Sequence, residues 1–441
     1  MDKNVKVNVP YLTRVEGHGN IVVNVREGRL QECRLDIVES PRFFEGMLRG
    51  RSIFEAQHIT SRICGICACG HSLASIQAAE DALGLVPSVQ TVLLRKLLLH
   101  QEILDSHILH IYLLAVPDLL GVPSFMPLIG SHNQVVRRAL RMKKACNDIC
   151  AILAGRHIHP IGCIVGGFTR IPEAAEVERI RDILLELAKD AEATVELVKT
   201  LSFPSFERET EYVALVNDEN AYPLLHGELG SSDGLRLPKE RYRELANEFI
   251  VGHSSAKHAR ASRESYMVGA LARFNLNGRK LHPKAQSTAA ALGLRAPVHN
   301  PYLNTAAQLV ECVHCVEDSL ILVEELLRKG LDRSEAVTVG INERGAIPMR
   351  AGKGVGAVEV PRGLLFHAYE IDATGRIIAA DCVIPTSQNA NNIEHDMRKL
   401  IPEILDLPEA DITLRLEMLV RAYDPCISCS AHFLNIQYVE R

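Results

Sequence analysis

The chain has 441 residues, 47% of them hydrophobic and 23% charged, with a formal net charge of −5. That composition suits a globular protein with a large core, and the slight acidic excess leaves no basic footprint for nucleic acid. Tryptophan is absent and aromatics reach only 5%, so the core must be aliphatic.

Met1-Asp2-Lys3-Asn4 leads straight into a strand-like stretch with no long apolar run behind it, so no secretory signal is expected. Residues 5–38 alternate and are rich in Val and Ile. Turn signals at Gly17-His18-Gly19-Asn20 and Glu27-Gly28 divide them, which predicts a small antiparallel sheet. Between its first two strands lies Thr13-Arg14-Val15-Glu16-Gly17-His18-Gly19. Pro41-Arg42-Phe43-Phe44-Glu45-Gly46 opens a loop and short helix. Arg62-Ile63-Cys64-Gly65-Ile66-Cys67, followed by His71, runs into a helix expected over 72–83 and stopped by Gly84.

The next helix, about 89–114, is apolar on most of its circumference and so belongs at the centre of a core. Its His100, Gln101, Asp105, Ser106, His107 and His110 are therefore candidates for buried contacts. Arg95, Lys96, Glu102 and Asp105 interrupt it, so even this stretch does not read as a membrane span. Helical patterns follow at about 134–155, 173–201, 239–251, 305–328 and 392–404, with short strands within 355–384. Residues 203–237 read as surface loops. The expected fold is α+β and predominantly α: a large central helical bundle with small peripheral antiparallel sheets. One domain is expected over 1–441, with an N-terminal sheet (1–40), a helical core (60–330), mixed strands with a C-terminal motif (340–432) and a short tail (433–441).

The C-terminal motif is Asp424-Pro425-Cys426-Ile427-Ser428-Cys429, with His432 beyond it. A C-x-x-C turn points two thiolates at one place, and two such turns offer a full shell for one soft or borderline metal ion. These two lie about 360 positions apart, whereas a structural zinc site usually gathers its pairs within ~15–20 residues. Zinc sites that join distant segments exist, so spacing alone leaves zinc open. Cys312-Val313-His314-Cys315 lies in a helical pattern and reads as core packing, and Cys69 should point away from the first pair. Twelve cysteines in a long chain without a signal read as thiols and metal ligands in a reducing cytoplasm. Gly352-Lys353-Gly354-Val355-Gly356 is glycine-rich but lacks the strand–turn–helix frame of a dinucleotide site.

The two cysteine motifs resemble the signature motifs of the large, catalytic subunit of nickel–iron hydrogenases. Thr13-Arg14-Val15-Glu16-Gly17-His18, Arg42-Phe43-Phe44-Glu45, Ser106-His107 with His110, His159-Pro160 before Gly166-Gly167, Pro361-Arg362-Gly363 and Pro385-Thr386 resemble further family positions. The likeness covers nearly the whole chain and is nearest to the cytosolic, multisubunit branch. It implies reversible heterolytic cleavage of H2 to protons and electrons. Nickel would be bound by Cys64, Cys67, Cys426 and Cys429, with Cys67 and Cys429 bridging to an iron that carries carbon monoxide and cyanide. Four thiolates supply the negative charge that a higher nickel oxidation state needs.

The resemblance also assigns supporting roles. Glu16 would relay protons beside Cys426, as a buried carboxyl of raised pKa can; from the residues alone it reads as a surface Glu in a glycine turn. Arg362 would stand at the open side of the metals, paired with Asp424. Pro361 and Thr386 would line the cyanide pocket, with Thr386 as donor, and His71 would donate to a bridging thiolate. Glu45, His432 and the Cys382 carbonyl would hold magnesium or a similar divalent ion. Ser106 stands where many relatives have Asp. The family's C-terminal extension is usually cut after the histidine matched by His432, so 433–441 is either an uncut extension or a short retained tail. An iron–sulfur small subunit is implied as partner, with further NAD(P)-, flavin- or ferredoxin-linked subunits. The alternatives are a respiratory-complex relative, which retention of both cysteine pairs opposes, a non-catalytic scaffold with structural zinc, and a hydrogen sensor.

Overall fold

The computed structural model describes residues 4–337, 347 and 349–431; the expectations for His432 and for 433–441 lie outside these. Alternation in the first residues produces β1 (Val5–Val9), β2 (Gly19–Arg26) and β3 (Arg29–Ile37), an antiparallel meander in the order β1-β2-β3. Val7 faces Val23, which faces Cys33 on the next strand. The period of two sends these residues into the core and the intervening polar ones outward.

Helix α1 (Ala68–Leu83) begins directly after Cys67, earlier than expected, and stops at Gly84, whose φ of 70° closes it. Helix α2 (Val89–Leu109) is capped by the Ser88 side chain, which accepts from Thr91 N at 3.1 Å. All six of its polar residues expected to be buried are buried. The regular helix does not reach 114. It widens into a π-turn over His110–Ala115 before a last turn at Val116–Leu119. Pro117 has no N–H for the carbonyl four residues back, and the widening accommodates that. Helices α3 (Asn133–Ala154) and α7 (Asn304–Lys329) pack against α2, and α4 (Ala174–Val198) packs against α7 and α3, with α5 (Ala270–Asn277) and α6 (Pro283–Ala291) between α4 and α7 in the chain. Cys312 and Cys315 lie buried within α7, as core packing requires.

Two expectations fail. Residues 203–237 are irregular only in part, over 203–210 and 217–227: β4 (Glu211–Val216) is buried along nearly all its length, and β5 (Glu228–Ser231) and β6 (Arg236–Leu237) extend its sheet. Tyr212-Val213-Ala214-Leu215 is covered on both faces, so it lacks the alternation that marks a half-exposed strand. Residues 239–251 form two single turns and then β7 (Asn247–Phe249), which pairs antiparallel with β8 (His258–Arg260). Tyr242 and Leu245 imitate a helical spacing for one turn only. Strand β9 (Tyr266–Met267) pairs parallel with β4, an exception among otherwise antiparallel sheets.

The glycine-rich run is a packing surface. It lies in β10 (Gly352–Val360), which crosses α1 closely. A Cβ on Gly352, Gly354 or Gly356 would meet the carbonyl oxygens of Ala82, Ala78 and Ala74 at 2.4, 2.1 and 1.9 Å. Strand period and helix period thus coincide along one small-residue seam. β10 pairs with β11 (Gly363–Ile371), which pairs with β12 (Ile377–Val383). Val360 and Gly363 face each other, so Pro361-Arg362 forms the two-residue tip of the hairpin. Helices α8 (Pro385–Ile404) and α9 (Glu409–Ala422) bring the chain to the C-terminal cysteines. A single aliphatic core includes Val5 of β1, Cys64 and Cys67, and Cys426 and Cys429.

Candidate metal centre

The two cysteine pairs meet. Cys64, Cys67, Cys426 and Cys429 are all buried, and their sulfurs lie within 4.8 Å of one another. Cys64 Sγ is 3.5 Å from Cys426 Sγ, Cys67 Sγ is 3.9 Å from Cys429 Sγ, and Cys426 and Cys429 are 2.8 Å apart. Metal–sulfur bonds of about 2.3 Å put the sulfurs of a four-coordinate ion roughly 3.3–3.8 Å apart, so the set fits one ion with small adjustments. None of the twelve cysteines is in a disulfide.

The electrostatics also call for a cation. Hydrogen bonding from Cys426, Cys429 and Cys67 holds the Cys64 thiol well below its ordinary range. Burial pushes Cys426 up, and pushes Cys429 to about 11. One thiolate is therefore favoured, while ionising the others requires a metal charge among them. Backbone N–H groups of Ile66 and Cys67 donate to Cys64 Sγ at 3.2 and 3.4 Å. Cys67, the N-cap of α1, is itself held well above its ordinary range, so it too needs a metal charge to ionise.

Closure of the two ends is enforced from the N-terminal loop. Glu16 and Cys426 form a parallel bridge, and Ile427 N donates to Glu16 O at 2.9 Å. Gly17 has φ 85°, and a Cβ there would lie 2.7 Å from Ser428 N; one on Gly19 would lie 2.9 Å from Ile427 Cδ1. At Gly17 only glycine permits this approach, because both the positive φ and the backbone contact exclude a side chain. Arg42 Nη2 donates to Ile63 O at 2.7 Å and to Ser428 O at 2.5 Å, so one guanidinium clamps the loops of both pairs. Backbone strain gathers at the same place. Among the described residues, five non-glycines have positive φ: Arg14, Glu27, Phe43, His159 and Asp424. Glu27 belongs to the β2–β3 turn. Phe43 follows the Arg42 clamp, His159 Nδ1 donates to Ser61 O at 2.8 Å just ahead of Cys64, and Arg14 and Asp424 each lie two positions before a site residue.

The side chains expected at the site surround it. The Cys426 thiol donates to Glu16 Oε2 at 3.1 Å, Ser428 N donates to the same oxygen at 3.1 Å, and the Ser428 hydroxyl donates to Glu16 Oε1. Arg362, at the hairpin tip, donates through Nε to Asp424 O at 2.7 Å and through Nη2 to Asp424 Oδ1 at 2.9 Å. Burial opposes its charge, but Asp424 and the neighbouring cysteines outweigh that and raise its pKa. Nη1 donates to Ser106 Oγ at 3.2 Å, so the serine keeps a hydrogen bond to Arg362 without a second carboxylate. Asp424 Oδ2 accepts from Gln308, whose Oε1 contacts His110. The Thr386 hydroxyl, at the N-terminus of α8, accepts from Cys426 N at 3.0 Å. Behind Pro361-Arg362, the fully buried Arg273 binds Glu311, Glu359 and the Val360 and Pro361 carbonyls. Removing one member of such a network costs about 3–5 kcal/mol.

Glu45 Oε1 accepts from Cys382 N at 2.9 Å, which places these two expected ligands together. Burial raises the Glu45 pKa. Ala431 pairs with Ala256, which fixes the chain immediately before the undescribed His432. His71 Nδ1 lies 3.0 Å from His367 Nε2; His367 Nδ1 is 2.8 Å from the Tyr369 hydroxyl and 3.7 Å from Cys382 Sγ. Cys69 points to Cys150, 3.7 Å away, and not to the four-cysteine set. Glu102 was not singled out by the sequence. Its carboxylate accepts from Cys69 N at 2.6 Å and Gly70 N at 3.0 Å, anchoring the first turn of α1, and burial pushes its pKa to about 8. The available signal was a charge inside the most apolar helix.

Comparison with known proteins agrees with this geometry. A family model described as nickel-dependent hydrogenase matches residues 42–127 and 242–432. The chain is 33% identical to sulfhydrogenase 1 subunit alpha of Pyrococcus furiosus, over 98% of each chain. It is 26% identical to the NAD-reducing hydrogenase HoxS subunit beta of Cupriavidus necator, covering 98% of this chain and 95% of that one. The crystal structure of an NAD+-reducing NiFe hydrogenase in its H2-reduced state superposes with a TM-score of 0.84 at 27% identity, covering 97% of this chain and 99% of the other.

Loss of the Arg42 clamp should loosen the centre without removing a ligand. Arg42→Leu is expected to retain about tenfold less metal than the parent after a chelator challenge, read by metal content per chain. Equal retention would show that the clamp contributes nothing.

Proposed function

The chain belongs to the nickel-dependent hydrogenase family, and we propose that it works as the catalytic subunit of a cytoplasmic assembly that interconverts H2 with two protons and two electrons. The observation that carries this reading is the convergence of four buried thiols from both ends of the chain beside Glu16 and Arg362. Nickel held by Cys64, Cys67, Cys426 and Cys429, with an adjoining iron bearing carbon monoxide and cyanide, would supply the electron-rich metal pair at which dihydrogen is polarised.

The residues around that pair manage protons and charge. Cys426 Sγ takes a proton and passes it to Glu16 Oε2, 3.1 Å away. The half-buried Ser428, whose hydroxyl touches the other Glu16 oxygen, continues the path outward. Arg362, fixed by Asp424, keeps a permanent positive charge beside the four sulfurs, where it would polarise H2 and could donate to a cyanide. Pro361 shapes the same pocket. The Thr386 oxygen is committed to Cys426 N, which leaves its O–H proton for cyanide. His71, whose Nδ1 lies 3.0 Å from His367 Nε2, would steady one of the cysteine sulfurs from behind. Glu45, the Cys382 carbonyl and His432 would hold a magnesium-type ion, a reading that the contact of Glu45 Oε1 with Cys382 N supports.

Electrons leave through a partner. Among the described residues no second group of cysteines converges as this one does, so an iron–sulfur subunit takes them on toward NAD(P), flavin or ferredoxin. The exposed Tyr11, Phe43 and Met47, in the segments that carry Glu16 and Arg42, suit contact with such a partner. No helix among the described residues is long and apolar enough to cross a membrane. The free thiols fit a reducing compartment, and residues 1–441 are read as one catalytic domain.

Infrared spectroscopy of the purified protein tests the reading. Bands of iron-bound carbon monoxide and cyanide are expected where protein groups do not absorb, with nickel present near one per chain. Zinc alone, without such bands, would identify a scaffold.

Glu16→Gln should keep those bands and the nickel while hydrogen–deuterium exchange falls by about a hundredfold or more. Exchange at the parent rate would remove Glu16 from the proton path.

A further inference from the structure

A second set of convergent ligands lies apart from the four cysteines. His253, His258 and Glu394 bring their donor atoms within 4.8 Å of one another. His253 stands in the segment between β7 and β8, His258 begins β8, and Glu394 projects from the middle of α8. His253 Nε2 is 2.7 Å from Glu394 Oε1, and the two imidazole centroids are 5.7 Å apart. A simple His253–Glu394 pair would account for two of the three residues. It does not account for His258, whose Nε2 is buried with no hydrogen-bond partner among the described residues. Leaving a buried ring nitrogen unpaired costs free energy.

We propose that His253, His258 and Glu394 form a separate site for a divalent cation of the zinc class, with water completing a four-coordinate shell. Two imidazoles and a carboxylate are a common zinc set. Bonds of about 2.0–2.2 Å place the donors roughly 3.4 Å apart. The 2.7 Å pair must open by about 0.7 Å to reach that separation, and the orphaned nitrogen gains a partner. Two of the three groups already have suitable protonation, and cation binding displaces the proton that His253 Nε2 shares with Glu394 Oε1. Burial pushes His258 down to about 4, which keeps its lone pair available at neutral pH. Glu394 is held below its ordinary value, because His253 and the Leu35 N–H outweigh its burial. Arg398 donates to the other oxygen, Glu394 Oε2, at 3.2 Å from a half-exposed side chain and leaves Oε1 to the cation. His253 is partly exposed, which gives the ion an entry.

The site lies where three parts of the chain are joined. Glu394 Oε1 accepts from Leu35 N of β3, Ser255 N donates to Ile37 O, and Ala256 pairs with Ala431 at the end of the C-terminal cysteine motif. A cation there would fasten the 253–258 segment, and through it Ala431, to α8 and the N-terminal sheet. Its role is structural.

The test uses nickel-loaded protein, stripped of loosely held ions and then equilibrated with Zn2+ alone. The parent should bind about one zinc per chain and gain thermal stability on loading. His258→Gln and His253→Gln should each bind zinc about tenfold or more weakly at unchanged nickel content. Equal zinc binding by parent and variants, or no zinc in the parent, overturns the proposal. Diffraction at the zinc edge from parent crystals provides a check that does not depend on the variants folding. A peak within bonding distance of all three side chains supports the site, and its absence there overturns it.

Discussion

Everything at the centre depends on bringing two C-x-x-C turns, 362 positions apart residue for residue, into one buried volume. Thiols crowded in this way repel as they ionise, and burial raises the cost. The polypeptide must therefore hold them before a cation can offset the charge. It does so with contacts that tolerate little variation: the Gly17 and Gly19 approach to residues 427 and 428, the Glu16–Cys426 bridge, and Arg42 bonded to a carbonyl on each cysteine loop. Strained backbone at Arg14, Phe43, His159 and Asp424 is part of the same arrangement.

Around the sulfurs, charge is arranged asymmetrically. On one side Glu16 offers a carboxylate within reach of Cys426 and of the half-buried Ser428. On the other, Arg362 is immobilised at a two-residue hairpin tip, with Asp424 accepting from it and Arg273 holding the turn from behind. The proposed heterolytic chemistry calls for a positive group and a proton acceptor beside the thiols, the parts proposed for Arg362 and Glu16. The fold supplies them from opposite ends of the chain. Replacement of an expected aspartate by Ser106 leaves Asp424 as the carboxylate on this arginine while keeping a hydrogen bond to it.

Much of this was legible in the sequence because ligand residues come in short, dense motifs. Cys64, Cys67, Cys426 and Cys429 converge as their two motifs suggested, while Glu16, Arg362, Asp424 and Thr386, expected there only from the family resemblance, lie beside them. The long amphipathic or wholly apolar helices were legible through their period. What escaped had no local signature. β4 is buried on both faces and so does not alternate. The glycines of β10 make sense only against the Ala74, Ala78 and Ala82 carbonyls of a helix far away in sequence. Arg42 and Glu102 act through backbone groups of distant loops, and His253, His258 and Glu394 converge only once β8 and α8 are packed.

The most direct measurement is X-ray absorption at the nickel edge of the assembled protein. The account predicts about four sulfur neighbours at roughly 2.2–2.3 Å and a nearby iron scatterer, with one sulfur lost when Cys64 or Cys426 is replaced by serine. Nickel surrounded by nitrogen and oxygen only, or a four-sulfur site holding zinc with no nickel in the chain, would contradict it.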